Sequence, residues 1–123
     1  RNPRRAAATH SVSKSEFSEN ASVVLSFIAY AGHSPRLPAP AAFAAGIRAL
    51  PGLSLHLLPD KECHFRRLDA ALARLAGIPP SQKQPLLTAA AQTAAADGVI
   101  EPAEAELLRA IACSLDCPMP PLG

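Results

Sequence analysis

Tryptophan is absent from this chain of 123 residues, and aromatic residues make up only 4% of it. Strands draw on aromatic and β-branched side chains, so a sheet-based core has little to be built from. Long hydrophobic runs are missing as well. The longest, "ASVVLSFIAYAG" from Ala21 to Gly32, has about half of the roughly 20 apolar residues that a spanning helix needs, and it reads as a core helix. The opening "RNPRRAAATHSVSKSEFSEN" contains no apolar stretch of the kind a secretory signal requires. It also lacks an initiator Met, and the chain is expected to be an excised piece of a longer protein. Cysteine is scarce and odd in number: three residues with no repeated pair spacing suit reduced cytosolic thiols better than a disulfide framework. Charge of either sign is modest. A formal net charge of +2, with no basic cluster beyond Arg1, Arg4 and Arg5, argues against a nucleic-acid partner.

What is abundant is alanine, with 26 residues in a chain that is 49% hydrophobic. Alanine has the highest helix propensity. The composition therefore predicts an all-α domain with small side chains where helices touch, and the length suits one domain with a modest core.

Periodicity predicts about five helices. Residues 1–14 are basic, aperiodic and rich in Ala and Ser, and read as a flexible tether; residues 15–123 read as the helical domain. A first helix begins near Ser15 or Ser18, carries Ala21, Val24, Leu25 and Ile28 at helical spacing, and stops at Gly32. "HSPRLPAP" is a turn punctuated by proline. A second helix, about Ala39 to Leu50, puts Phe43, Ile47 and Leu50 on one face and is ended by Pro51 and Gly52. "LSLHLLPD" is too short and isolated for a sheet and reads as an extended connector. The third helix lies within Lys61–Ala76, with an apolar stripe of Phe65, Leu68, Ala71, Leu72 and Leu75. Arg66, Arg67, Asp69 and Arg74 face water, and Gly77 closes the helix. The fourth starts between Ser81 and Pro85 and buries Leu86, Leu87, Ala90, Ala91 and Ala94. Pro85 is placed in its first turn, since later it would remove a ladder hydrogen bond. The fifth opens at Pro102 as a favoured first residue and buries Leu107, Leu108, Ile111 and Leu115. "DCPMPPLG" stops it.

The corner "AAADGVIEPAEAELLRAI", Ala94 to Ile111, resembles half of a calcium loop. With Gly98 at position 6 of an EF-hand loop, Asp97 falls at 5, Val99 at 7, Ile100 at 8 and Glu104 at 12. Positions 1 and 3 fall on Thr93 and Ala95, one hydroxyl and one methyl. Asp97 and Glu104, the candidate metal ligands, do not reach the 6–8 oxygens that calcium takes. A structural corner explains the same residues. Gly98 supplies positive φ, Asp97 caps the turn, Ile100 drops into the core, and Glu104 accepts from free N–H groups in the next helix.

The run "ADGVIEPAEAELLRAIACSLDCPMPPL" is similar to the end of a TerB-like (tellurite-resistance-type) helical domain, where an "aDG-x-(V/I)-x-x-x-E" corner joins two core helices. It resembles more closely the carboxy-terminal extension of bacterial membrane-bound zinc metallopeptidases of the HtpX / CAAX-prenyl-protease type. There a similar "LLRAIADALDCPMPPL" ending follows an "LDAAL-x-RLA" helix, here "LDAALARLA" from Leu68 to Ala76. The likeness spans about residues 21–122 and is most specific in the last forty. It implies a domain appended to a peptidase and exposed to the cytoplasm, with the parent in the bacterial inner membrane and zinc held only in the parent's peptidase domain. The HExxH motif of that peptidase is not in this chain, and His10, His33, His56 and His64 are not paired at i, i+4. No catalytic residue carries over. The acidic metal-binding surface of TerB-type proteins has no counterpart either, because no Asp or Glu stands between Ala21 and Pro59.

Other constellations are sparse. Cys63, His64, Cys113 and Cys117 are zinc-ligand types, but adjacent "CH" and a C-x₃-C at a helix end are poor spacings. The alternative is two small buried thiols and one beside a proline turn. Cys63 beside His64 does not make a nucleophile with its base, since neighbouring helical side chains diverge. Arg66, Arg67 and Arg74, with Arg109, form either a basic face for phosphate or carboxylate or a solvated helix surface. The expected function is a non-catalytic accessory domain of a membrane zinc metallopeptidase. Its expected partner is another protein or the parent's own peptidase domain, and it has no cofactor and no membrane insertion of its own. The rival is a stand-alone sensor of a divalent cation or of stress.

Overall fold

Every residue from Ala21 to Ala29 is buried in the computed structural model, which describes residues 14–31, 38–96, 98, 100 and 102–116. These residues belong to the first helix, α1 (Lys14–Ala31). A segment buried on every face has to be enclosed, and four other helices pack against this one. They are α2 (Ala39–Ile47), α3 (Phe65–Leu75), α4 (Pro80–Ala94) and α5 (Pro102–Ser114). α1 touches all four, while α2 also packs on α4, and α5 on both α3 and α4. The fold is an all-α bundle of five helices, with no strand among the described residues. No described helix is long and apolar enough to cross a membrane.

Small residues set the closest crossing. Gly46 of α2 lies so near α4 that a Cβ there would fall 1.9 Å from Thr93 Oγ1 and 2.9 Å from the Ala89 carbonyl oxygen. The alanine-rich α4 supplies Ala89, Ala90 and Ala94 to the core beside the larger Leu86 and Leu87.

The connector at residues 53–59 has no helical or strand partner, so its backbone N–H groups need acceptors from elsewhere. α1 provides them. Ser22 Oγ accepts from the His56 N–H at 3.2 Å, and Ser26 Oγ accepts from the Leu58 N–H at 3.0 Å. Tyr30 Oη donates to the Leu58 carbonyl at 2.6 Å. Four residues of helix rise about 6 Å and two residues of extended chain about 6.6 Å, so hydroxyls at i and i+4 meet amides at j and j+2. Ser22 also donates to the Ser18 carbonyl at 2.8 Å. Leu53, Leu55 and Leu57 pack against the core as the chain alternates. The connector ends in a short 3-10 turn, Asp60–Glu62.

Several expectations are corrected. Phe65, assigned to the buried stripe of α3, is 72% exposed. It is the first residue of its helix, and its ring tilts against Phe27 with centroids 5.9 Å apart. Leu68, Ala71, Leu72 and Leu75 hold the buried stripe without it. Pro85 is not in the first turn of α4. The helix starts at Pro80, five residues earlier, and Pro85 lies inside it. The lost ladder bond falls on the carbonyl of Ser81, an exposed residue. Leu107 and Ile47 are only half-buried, and Lys14, counted with the tether, opens α1. Gly77 does not have positive φ; Ala76 ends α3 in the right-handed region, and Ile78 drops into the core just beyond. Asp116 at φ 54° follows α5. The rest of the expected tether, the Gly32 stop, the Asp97 cap and the proline-rich end lie outside the described residues.

Candidate functional site

The corner between α4 and α5 begins with Thr93, which is fully buried. Its hydroxyl donates to the Ala89 carbonyl at 2.9 Å and faces Gly46 of α2. Position 1 of the calcium pattern is thereby committed to a helix crossing and does not face a loop. Ala95 is the C-cap of α4 and offers only a methyl group. Gly98 has φ +83° and open space around its missing side chain, and its N–H donates to the Ala95 carbonyl at 2.9 Å. This is the conformation that a left-handed corner requires of glycine. Ile100, expected in the core, is half-buried and stands outside the buried cluster. Glu104 is the third residue of α5 and only 3% exposed. A carboxylate at that position lies where the free N–H groups and positive end of the helix dipole favour it. Among the described residues, no group of three or more His, Cys, Asp or Glu side chains gathers around one point.

Two of the three thiols and two of the four imidazoles lie among the described residues. Cys63 is half-buried just after the 3-10 turn, and Cys113 is exposed on α5, so the expectation of two buried thiols is corrected. Burial pushes the Cys63 thiol up, the Asp60 carboxylate pushes it further, Arg67 opposes this and Glu62 adds to it. A thiol held protonated in this way is a poor nucleophile and a poor metal ligand at neutral pH. His64 is exposed at the N-cap of α3 and makes no side-chain capping bond.

The arginines do not make one face. Arg67 pairs with Glu62 at 3.0 Å, and Arg74 pairs with Glu16 of α1. Arg66 and Arg109 are exposed on different helices. With two of the four charges answered by carboxylates, a shared anion-binding patch is not assembled.

Two concavities flank the start of α1. One, of about 640 Å³, is lined by Lys14, Ser15, Ser18, Glu19, Gly52, Ser54 and His56. The other, of about 420 Å³, lies between α1, the Pro51–Gly52 turn and the start of α4. Phe17 and Leu50, both buried, form its floor, and Leu53 and Pro85 line it further. Lys14 and Gln82 also line it, while the Gln82 Oε1 itself is buried away from solvent and has no hydrogen-bond partner. An unpaired buried polar atom is rare in folded proteins and calls for an explanation. Sequence reasoning missed this groove, because its residues come from three separate segments and share no motif. No family model, curated protein or solved structure matches this chain.

Proposed function

We propose that this chain is a non-catalytic accessory domain that binds protein segments, carried at the end of a bacterial membrane zinc metallopeptidase and facing the cytoplasm. The resemblance of "LDAALARLA" and "LLRAIACSLDCPMPPL" to the extension of HtpX / CAAX-prenyl-protease-type enzymes supports the parentage. The first segment supplies α3 and the second most of α5, and both bury leucine stripes against the same core. The observation that carries the binding role is the apolar groove floored by Phe17 and Leu50. A concave apolar site with a few polar groups is the usual form of a recognition surface.

The reading frame upstream of Arg1 tests the parentage, where an HExxH followed by apolar segments is the expected finding and its absence overturns the assignment. In the intact parent, removing this domain is expected to lower cleavage of protein substrates while leaving turnover of a short peptide. The rival cation sensor predicts a melting temperature that rises with its ion. On the accessory reading calcium leaves the melt unchanged, and a rise abolished by Glu104→Gln overturns it.

A further inference from the structure

We infer that the connector is a strand-addition site, whose outer edge receives an extended peptide segment through main-chain hydrogen bonds. Its inner edge is already in use. The His56 N–H, the Leu58 N–H and the Leu58 carbonyl are all bonded to hydroxyls of α1. An extended chain turns the N–H and C=O of successive residues to opposite sides, so those of Leu55 and Leu57 point away from α1. Among the described residues, neither Leu55 nor Leu57 makes a hydrogen bond. Both are half-buried and alternate with the exposed Ser54 and His56. Unpaired main-chain groups are costly away from water, which places this edge at the solvent.

The edge differs from that of an ordinary loop. Ser22, Ser26 and Tyr30 hold the connector in place while Leu53, Leu55 and Leu57 pack against the core. The strand form therefore exists before a partner arrives, and little ordering is lost on binding. No Lys, Arg, Asp or Glu stands between Pro51 and Pro59, so the charges that usually guard an exposed edge are missing. The free groups of Leu55 and Leu57 recur every two residues, about 6.6 Å apart. Another extended main chain offers a donor and an acceptor at that same repeat. A second copy of this chain fits less well. It brings a whole bundle to an edge of five residues, and specific interfaces between folded proteins bury about 1,200–2,000 Å². The inference deepens the accessory reading and rests on it for the source of the segment, the unfolded stretches that an endopeptidase takes as substrate. Main-chain bonds give affinity without selecting one sequence, as handling such stretches requires.

The test follows the amide signals of the isotope-labelled chain by NMR. In the free chain the Leu55 and Leu57 amides are expected to exchange with solvent at least about tenfold faster than those of His56 and Leu58. Acetyl-threonyl-valyl-threonyl-valyl-threonine amide is expected to shift the Leu55 and Leu57 amides and slow their exchange. The same peptide N-methylated at every residue donates from neither of its edges, and is expected to bind at least about tenfold more weakly. Equal binding of the two peptides, no binding, or shifts confined to Phe17 and Leu50 each overturns the inference, and the last of these leaves the groove standing. Shifts of Leu55 and Leu57 that grow with the chain's own concentration give the edge to a second copy and overturn it too. The titration does not depend on what precedes Arg1. A bound peptide with no HExxH upstream keeps the edge and removes the parentage, and an HExxH with no binding does the reverse.

Discussion

Two glycines show how differently one residue type is used here. Gly46 is required for space, since a Cβ would meet Thr93 Oγ1 at 1.9 Å and the Ala89 carbonyl at 2.9 Å. Gly98 is required for conformation, since its φ is +83° and nothing lies within 4 Å of a built Cβ. Gly46→Ala is therefore expected to destabilise by about 1–3 kcal/mol through overpacking. Thr93→Ala in the same chain should restore part of the loss, because the carbonyl contact remains; a denaturant-unfolding double-mutant cycle measures the coupling. Gly98→Val should lose more than about 1 kcal/mol from a β-branched residue forced to positive φ, with no dependence on Thr93. Full additivity of Gly46→Ala and Thr93→Ala would show that the crossing relaxes. The "DG" pair makes the role of Gly98 legible in the sequence. Gly46 sits in "AAFAAGI", which reads as ordinary helix, and only its neighbour on α4 reveals the need.

Among the elements, α1 does two jobs on two faces. Its apolar residues fill the core, and its hydroxyls at Ser22, Ser26 and Tyr30 hold the connector. Ser26→Ala leaves the Leu58 N–H buried without an acceptor, at a cost of about 1–3 kcal/mol. Ser54→Ala, on the exposed side of the same connector, should stay within about 0.5 kcal/mol of the wild type. Equal melting temperatures for the two variants would mean that the ladder contributes nothing. On α3 the exposure of Phe65 splits a stripe that periodicity joins. Leu72→Ala is expected to lose about 2–5 kcal/mol, as buried leucines do. Phe65→Ala should lose less than about 1.5 kcal/mol, the upper value of an aromatic pair contact, here with Phe27. Urea midpoints of the two variants decide between a stripe that includes Phe65 and one that stops at Leu68.

For the molecule as a whole, pH acts through groups that hold protons more tightly when folded. Burial raises the Tyr30 phenol, and the neighbouring Cys63 and Asp60 raise it further. The Cys63 thiol is raised mainly by burial as well. A raised folded value means the native state binds more protons on the alkaline side, so its stability falls as pH rises. The contribution is complete below the unfolded values, about 8.5 for the thiol and about 10 for the phenol, and is lost as pH climbs through the raised ones. Tyr30→Phe should therefore lower stability at neutral pH, where the 2.6 Å bond to Leu58 is lost, yet flatten the alkaline decline. Urea midpoints at neutral pH and well above about pH 10 measure both, and an equally steep decline in the variant would remove Tyr30 from the account. The sequence by itself determined the helical class and the positions of the helices. Alanine content, 3.6-residue periodicity and Pro/Gly punctuation are local properties that act before any long-range contact. It also showed that positions 1 and 3 of the calcium pattern fall on Thr93 and Ala95, because residue types are read one position at a time. Tertiary structure alone decided that Phe65 is exposed, that Gly46 must be glycine, that two serines anchor a distant connector, and that Lys14, Leu53 and Gln82 share a groove. Each of these depends on which surfaces meet across tens of residues of chain, and periodicity within one element holds no information about its neighbour.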